Sequence, residues 1–425
     1  MSETTRPSIP EEAYLHCIRC GLCLSVCPTY REFLTETASP RGRVALTRKG
    51  MEGGLRLSPH LFEQMYACFG CLACNEICPV GIRPADLALE MRVIQEKVRP
   101  AGWKRPLFEG LIPHPSRMEW ATLPLRLYER LGLRRLVYAL GLRRLLPARL
   151  RDLEAMLPHL PQRPLRRVLP EVSPAQSDER CRVGFFLGCA QSLMFAEESA
   201  ATVRVLNRNG CTVVTPKETK CCGMPALGYG REDIAHDLAR YNIALFERAQ
   251  VDYIVTDCAT CGATLKEYGE MLADDPEWAE RAAAFSRKVR DISEFLMEIP
   301  LEKPKARLDV RVTYHDPCHL RRGQGVWEQP RALMQTIEGV EFVEMEEADW
   351  CCGSAGSQLI THPETSLRVL KRKMDHVEAT GAEVVASGCP GCQMQLHVGV
   401  RRRGLPIEVV HPVVLLDRAY RAEED

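Results

Sequence analysis

Two stretches near the N-terminus decide how this chain is read: Cys17-Ile-Arg-Cys20-Gly-Leu-Cys23-Leu-Ser-Val-Cys27-Pro28 and Cys68-Phe-Gly-Cys71-Leu-Ala-Cys74-Asn-Glu-Ile-Cys78-Pro79. Both have the spacing C-x2-C-x2-C-x3-C-P, which suits a [4Fe–4S] cluster held by thiolates. Three evenly spaced cysteines wrap one cluster, and the fourth, turned away by its proline, serves the other. This crossing assigns Cys17, Cys20, Cys23 and Cys78 to one cluster, and Cys68, Cys71, Cys74 and Cys27 to a second. Zinc also uses paired C-x2-C, but a four-ligand zinc site asks for neither the third evenly spaced cysteine nor the proline.

Outward from these runs the pattern is helical. Ser39-Pro40 and Ser58-Pro59 each read as an N-cap followed by proline at the first helical position. Leu87, Met91, Ile94 and Val98 form the stripe of one amphipathic helix that stops at Pro100. A helical insert of 40 residues between Cys27 and Cys68 is unlike a compact β-type bacterial ferredoxin. It is similar to the α-helical ferredoxin of succinate-dehydrogenase-type iron–sulfur subunits.

A second, longer pattern begins at Cys189. Thirty-one residues later comes Cys221-Cys222-Gly223, and 35 residues after that Cys258-x2-Cys261. Cys318 is followed after 32 residues by Cys351-Cys352-Gly353, and after 36 more by Cys389-x2-Cys392. Gaps that differ by a single residue mark an internal duplication. Short β-rich runs lie in the same segment: Val183–Leu187, Thr212–Thr215 and Tyr253–Thr256, then Val310–Tyr314, Phe342–Glu344, Val384–Ala386 and Ile407–Val410. Strands alternating with helix-length segments predict parallel α/β sheets, whose carboxyl edges gather sites. Cys189, Cys258, Cys318 and Cys389 each follow such a run, so five thiolates from three loops are expected to converge in each repeat. The glycine after each Cys-Cys is expected to let the backbone approach a bulky cluster. Five exceed the four that a cubane or tetrahedral zinc takes, so either one is spare or the cluster has another shape. A four-cysteine zinc site or an empty repeat stays open here. Cys181 and Cys211 fall outside every set and read as small buried hydrophobes.

Between the two patterns, residues 101–180 hold no motif cysteine. Eleven arginines lie between Arg126 and Arg167 against Glu129, Asp152 and Glu154, and Leu-Gly-Leu-Arg-Arg-Leu occurs at both 131–136 and 140–145. This segment reads either as short linker helices with solvated arginines or as a surface for an acidic partner or an anionic membrane. Overall, 56 basic residues cancel 56 acidic ones, so no net field draws the chain to nucleic acid. No run reaches the roughly 18 apolar residues of a membrane span, and Met1-Ser-Glu-Thr-Thr has no apolar signal region. A cytoplasmic location is expected, and there 20 cysteines speak for metal rather than disulfides. Gly228-Tyr-Gly230 and Gly323-Gln-Gly325 lack the third glycine and the preceding strand of a dinucleotide loop, so neither flavin nor NAD is expected on this chain. His315, near Cys318, reads either as a proton carrier or as a histidine fixing a turn.

Together with Pro40-Arg-Gly-Arg43, Gly188-Cys-Ala-Gln191, Tyr268-Gly-Glu-Met-Leu272 and Cys351-Cys-Gly-Ser-Ala-Gly-Ser357, these cysteines make the chain resemble the glycolate oxidase iron–sulfur subunit family. The likeness covers nearly the whole chain. It implies an oxidoreductase subunit that passes electrons from a flavoprotein dehydrogenase subunit oxidising a 2-hydroxy acid to a quinone or other acceptor. An acceptor at the membrane implies peripheral contact with the inner face of the cytoplasmic membrane. Complete Cys-Cys-Gly sets are nearer to the heterodisulfide reductase relatives, where such sets hold noncubane [4Fe–4S] clusters. That likeness implies the alternative of a catalytic subunit reducing a disulfide or quinone itself. The expectation is therefore an α+β multidomain chain. An α-helical ferredoxin domain with two [4Fe–4S] clusters fills 1–100, and a Pro/Arg-rich connector fills 101–180. Duplicated α/β CCG domains with parallel strands fill 181–305 and 306–425, with one or two further clusters, cubane or noncubane.

Overall fold

The computed structural model describes residues 9–141, 145, 147, 150–151, 154 and 160–423. At the N-terminus, serine followed by proline starts helices. Ser39 Oγ accepts from the Gly42 N–H at 2.9 Å and opens the helix Pro40–Met51, and Ser58 Oγ accepts from Leu61 N at 3.3 Å and opens Pro59–Tyr66. The helix Pro84–Val98 lays Leu87, Met91 and Ile94 onto Leu61, Phe62, Met65 and Val44. Val98, the fourth member of the predicted stripe, is exposed, because by the last turn the helix has run past the core.

Two sheets follow. The first has strands β1 (Val172–Ser173), β2 (Cys181–Phe185), β3 (Cys211–Val214), β4 (Tyr253–Thr256) and β5 (Val289–Asp291), in the order β1-β3-β2-β4-β5. The second has β6 (Val310–Tyr314), β7 (Val340–Phe342), β8 (Val384–Ala386) and β9 (Glu408–Val410), in the order β7-β6-β8-β9. All pairings are parallel except the antiparallel β1–β3 edge. With β1 set aside, β3-β2-β4-β5 matches β7-β6-β8-β9, and Val183 pairs with Tyr253 as Val312 pairs with Val384. The duplication seen in the cysteine spacing is thus a duplication of topology. The run at 183–187 sits two residues late on β2, because the apolar stretch continues into the loop, and the run at 342–344 begins on the last residue of β7.

One apolar core joins the two sheets. Val183, Phe185 and Val255 of the first share it with Val312, Tyr314 and Val384 of the second, through the helices Ala196–Arg208 and Pro412–Arg421. Arg204 pairs with Asp417 across this seam at 2.7 Å. The N-terminal helices dock on the sheets through buried Arg92. It donates to the carbonyls of Met65 (2.8 Å), Cys68 (2.8 Å) and Gly228 (2.9 Å). Arg322 reaches the other way, pairing with Glu76 at 2.8 Å and Asp349 at 2.6 Å.

In the connector, the helices Pro115–Ala121, Leu123–Arg130 and Leu133–Ala139 reverse the expected polarity. Arg126 and Arg134 are buried, and Arg134 pairs with Glu129 and Glu154, whereas Leu127, Leu131, Leu136 and Leu140 are exposed. Half of the repeated word at 140–145, residues 142–144, lies outside the described residues. No described helix is long and apolar enough to cross a membrane.

Candidate metal centres

The two N-terminal runs fold as short loops ending in one-turn helices. One cavity is lined by Cys17, Cys20, Cys23 and Cys78, and a neighbouring one by Cys27, Cys68, Cys71 and Cys74. Cys20 faces solvent, and Cys27, Cys71 and Cys74 are buried. The structure also shows what Pro40-Arg-Gly-Arg43 is for. Arg41 pairs with Glu36 at 2.7 Å and donates to the carbonyl of Arg19 at 3.3 Å, bracing the first run. Buried Arg43 donates to Thr29 Oγ1 at 3.1 Å and to Gln64 O at 3.0 Å, and Thr29 Oγ1 lies 3.2 Å from Cys27 Sγ. Gly42 is packed so tightly that a Cβ there would stand 1.8 Å from Glu36 O.

In the sheets, each isolated cysteine sits where a strand hands over to a helix. Cys189 opens the helix Cys189–Met194 after β2, and Cys318 opens Cys318–Gln324 after β6. Cys258 caps Ala259–Lys266 after β4, its Sγ accepting from Cys261 N at 3.4 Å, and Cys389 caps Pro390–Arg403 after β8. The Cys-Cys-Gly corners follow β3 and β7. Nine of the ten sulfur positions converge with a Cys-Cys partner in hydrogen-bonding reach: Cys189 with Cys221, Cys221 with Cys222, Cys222 with Cys261, and Cys258 with Cys261. Cys351 with Cys352, Cys352 with Cys392 at 3.4 Å, and Cys389 with Cys392 repeat the arrangement, and Cys318 stands beside Cys389.

These contacts set the thiol acidities. Cys222 is held well below the usual thiol value by hydrogen bonds from Cys221 and Cys261. Cys352 is lowered to about 5 by the same bonds from Cys351 and Cys392. Burial pushes Cys318 up to about 11. The partners Cys221 and Cys351 are raised by the same contacts. The glycines of the corners also set the local backbone. Gly223 has φ +98° and Gly353 φ +89°, and a Cβ on Gly353 would meet Ser366 O at 2.6 Å. On Gly223 it would meet Ala235 at 3.3 Å. They turn the chain in the left-handed region and seat it on the following helix, and the Gly353 N–H donates to Cys351 Sγ at 3.4 Å.

The four sets lie in a row. Cys23 of the first N-terminal set adjoins Cys27 of the second. Cys71 packs with Cys351 and Cys318 among Phe69, Ala73 and Val369. Cys389 faces Cys258, with Ala259 N donating to Gly388 O at 2.9 Å and Thr260 Oγ1 lying 3.5 Å from Cys389 Sγ. Beyond, Cys189 and Cys221 line a cleft with Ile112, Met118, Glu119 and Arg166 of the connector. Buried soft donors in reach of one another, with no disulfide among them, fit iron–sulfur clusters. The 4Fe-4S dicluster domain matches residues 13–82, the cysteine-rich CCG domain matches 183–266 and 312–397, and the linker region of the glycolate oxidase iron–sulfur subunit matches 100–157. A probable glycolate oxidase iron–sulfur subunit of Bacillus subtilis is 40% identical over 96% of this chain and 94% of its own length.

The chain belongs to the glycolate oxidase iron–sulfur subunit family.

It is accordingly an oxidoreductase subunit that carries iron–sulfur clusters. The glycolate oxidase iron–sulfur subunit of Escherichia coli is 30% identical over 89% of each chain. A crystal structure of a hypothetical protein from Helicobacter pylori shares the fold at 12% identity, with a TM-score of 0.51 over 89% of this chain and 68% of that one.

Several residues of the site escaped the sequence reading. Arg41 and Arg43 carried a signal, the short basic word after Ser39, but nothing in the spacing said which loops they brace. Cys181 and Cys211 are not simply buried: β2 and β3 place them in register with sulfurs 3.6 Å apart, and Cys181 is half-exposed. His315 lies fully buried in the loop directly after β6.

Proposed function

We propose that this chain is the electron-transfer subunit of a flavin-dependent 2-hydroxy-acid dehydrogenase of the glycolate type, working in the cytoplasm beside a flavoprotein subunit and delivering to a quinone or another acceptor. Iron–sulfur clusters exchange one electron at a time, whereas removing a hydride from a hydroxy acid needs a two-electron cofactor, which the partner would supply. The observation that carries this reading is the unbroken row of cysteine sets. It runs from solvent-facing Cys20, through Cys71–Cys351 and Cys389–Cys258, to the connector cleft at Cys189. In this reading Cys17, Cys20, Cys23 and Cys78 hold one [4Fe–4S] cluster and Cys27, Cys68, Cys71 and Cys74 a second. Cys318, Cys351, Cys352, Cys389 and Cys392 hold a third, and Cys189, Cys221, Cys222, Cys258 and Cys261 a fourth. The domain limits that go with it are 1–100, 101–180, 181–305 and 306–425.

A second reading has one specific observation behind it. Both five-cysteine sets are complete, with Cys189 and Cys221 lining a narrow cleft, the ligand set that a subunit reducing a disulfide or quinone itself would use. Anaerobic purification of the untagged complex separates the two. A co-purifying flavoprotein whose hydroxy-acid oxidation reduces the clusters supports the first. Disulfide turnover by the isolated chain, with no flavoprotein bound, would replace it with the second.

A further inference from the structure

The two five-cysteine sets are built on one topology, yet the residue three places before the first cysteine differs. In the first repeat this is Phe186, a fully buried ring 5.8 Å from Phe246. In the second it is His315, which is 1% exposed. Its backbone N–H pairs with Ala386 O at 2.9 Å, as a strand-end residue should. Its ring does not: among the described residues neither Nδ1 nor Nε2 has a hydrogen-bond partner.

That is costly for a polar ring, and the neighbouring polar groups are already engaged. Asp316 gives both carboxylate oxygens to Arg331, at 2.8 and 2.9 Å. Lys373 Nζ donates to the carbonyls of Glu347 and Ala348. What the ring does have is sulfur. A ring nitrogen, Cys352 Sγ and Cys392 Sγ all lie within 4.8 Å of one another. No hydrogen bond joins the imidazole to either sulfur, so the spacing is that of ligands around a common ion rather than of a donor on an acceptor.

We infer that His315 supplies a nitrogen ligand to the iron held at the second Cys-Cys-Gly site, so that this site is a mixed histidine–cysteine centre while the first is ligated by sulfur alone. This rests on the reading that Cys318, Cys351, Cys352, Cys389 and Cys392 hold iron, which the test examines separately.

The test is pulsed EPR on the anaerobically purified full chain, grown with ¹⁴N- or ¹⁵N-histidine, with iron content compared between wild type and Cys352→Ser. The expected result is a strong histidine nitrogen coupling of the directly bonded kind, lost in Cys352→Ser and in His315→Phe. It should be retained in His319→Gln, which removes the other imidazole lying against a cysteine sulfur, 3.3 Å from Cys318. The labelled wild type and His319→Gln decide the question even if His315→Phe does not fold. Full iron with no strong coupling, only a weak one, or a coupling lost in His319→Gln would overturn the role of His315 alone. Iron content unchanged by Cys352→Ser would overturn the reading of the site as well.

Discussion

The N-terminal runs and the sheet-borne sets solve the same problem in opposite ways. In the runs, three cysteines of one run and the last cysteine of the other line each cavity, so most of each site is local. In the sheets, a set spans Cys189 to Cys261, or Cys318 to Cys392, and exists only because parallel strands bring three loops to one edge. Local sites are legible as words. Sheet sites are legible only as a rhythm, and they depend on the whole repeat being folded.

The sharpest way to break this comparison is to remove one sulfur from each kind of site. Cys351→Ser and Cys352→Ser are each expected to abolish electron delivery to the final acceptor while the two N-terminal centres stay reducible. Acceptor reduction measured beside the EPR signals of the reduced protein checks this. Full activity in either variant would mean a spare cysteine and an ordinary four-ligand site. A smaller loss is expected from Cys27→Ser, which should damage the centre of Cys68, Cys71 and Cys74 and spare that of Cys17, Cys20 and Cys23. Spectroscopy showing the reverse would undo the crossed assignment.

Backbone changes sharpen the comparison further. Gly353→Ala adds a Cβ 2.6 Å from Ser366 O at φ +89° and should cost roughly 2–5 kcal/mol in a sheet-borne site. Gly356→Ala, at φ +72° with open space around it, should cost only about 1 kcal/mol. Denaturant midpoints of the two variants would show the difference, and equal losses would mean that seating on the Ser366 helix matters little. The smallest effect belongs to the connector. If its arginines hold a partner or a membrane by charge, association should fade as the Debye length falls from about 10 Å at 0.1 M salt to about 3 Å at 1 M. Sedimentation that is indifferent to salt would point instead to the exposed Leu127, Leu131 and Leu136.

The same contrast explains what could be read from sequence. The cysteine sets, the helical N-terminus and seven of the strands follow from spacing and periodicity, because those signals are carried by neighbours in the chain. β1 and β5 were missed because two and three residues, Val172–Ser173 and Val289–Asp291, are too few to show alternation. The contact of Cys71 with Cys351 and the lone ring of His315 were out of reach for another reason. Each is a meeting of segments hundreds of residues apart or an absence of partners, and neither leaves a local pattern. In the connector, Arg126 and Arg134 are buried, a placement of charge that no local pattern announces.

The extra strand β1 has a consequence for how the molecule keeps to itself. In the first sheet it runs antiparallel along β3 and closes that edge with Val172 and Ser173. Among the described residues nothing pairs with the outer side of β7, so Val340–Phe342 presents a free ladder of backbone groups. Such edges invite a stranger's strand and, through it, aggregation. Here the invitation is withdrawn by charge: Glu341 projects from the strand, and Glu338 and Glu344 flank it, each paired with an arginine of the same chain. An incoming strand would have to strip water from three ion pairs. Neutralising these glutamates should therefore leave the cysteine sites intact and surface first as a loss of solubility.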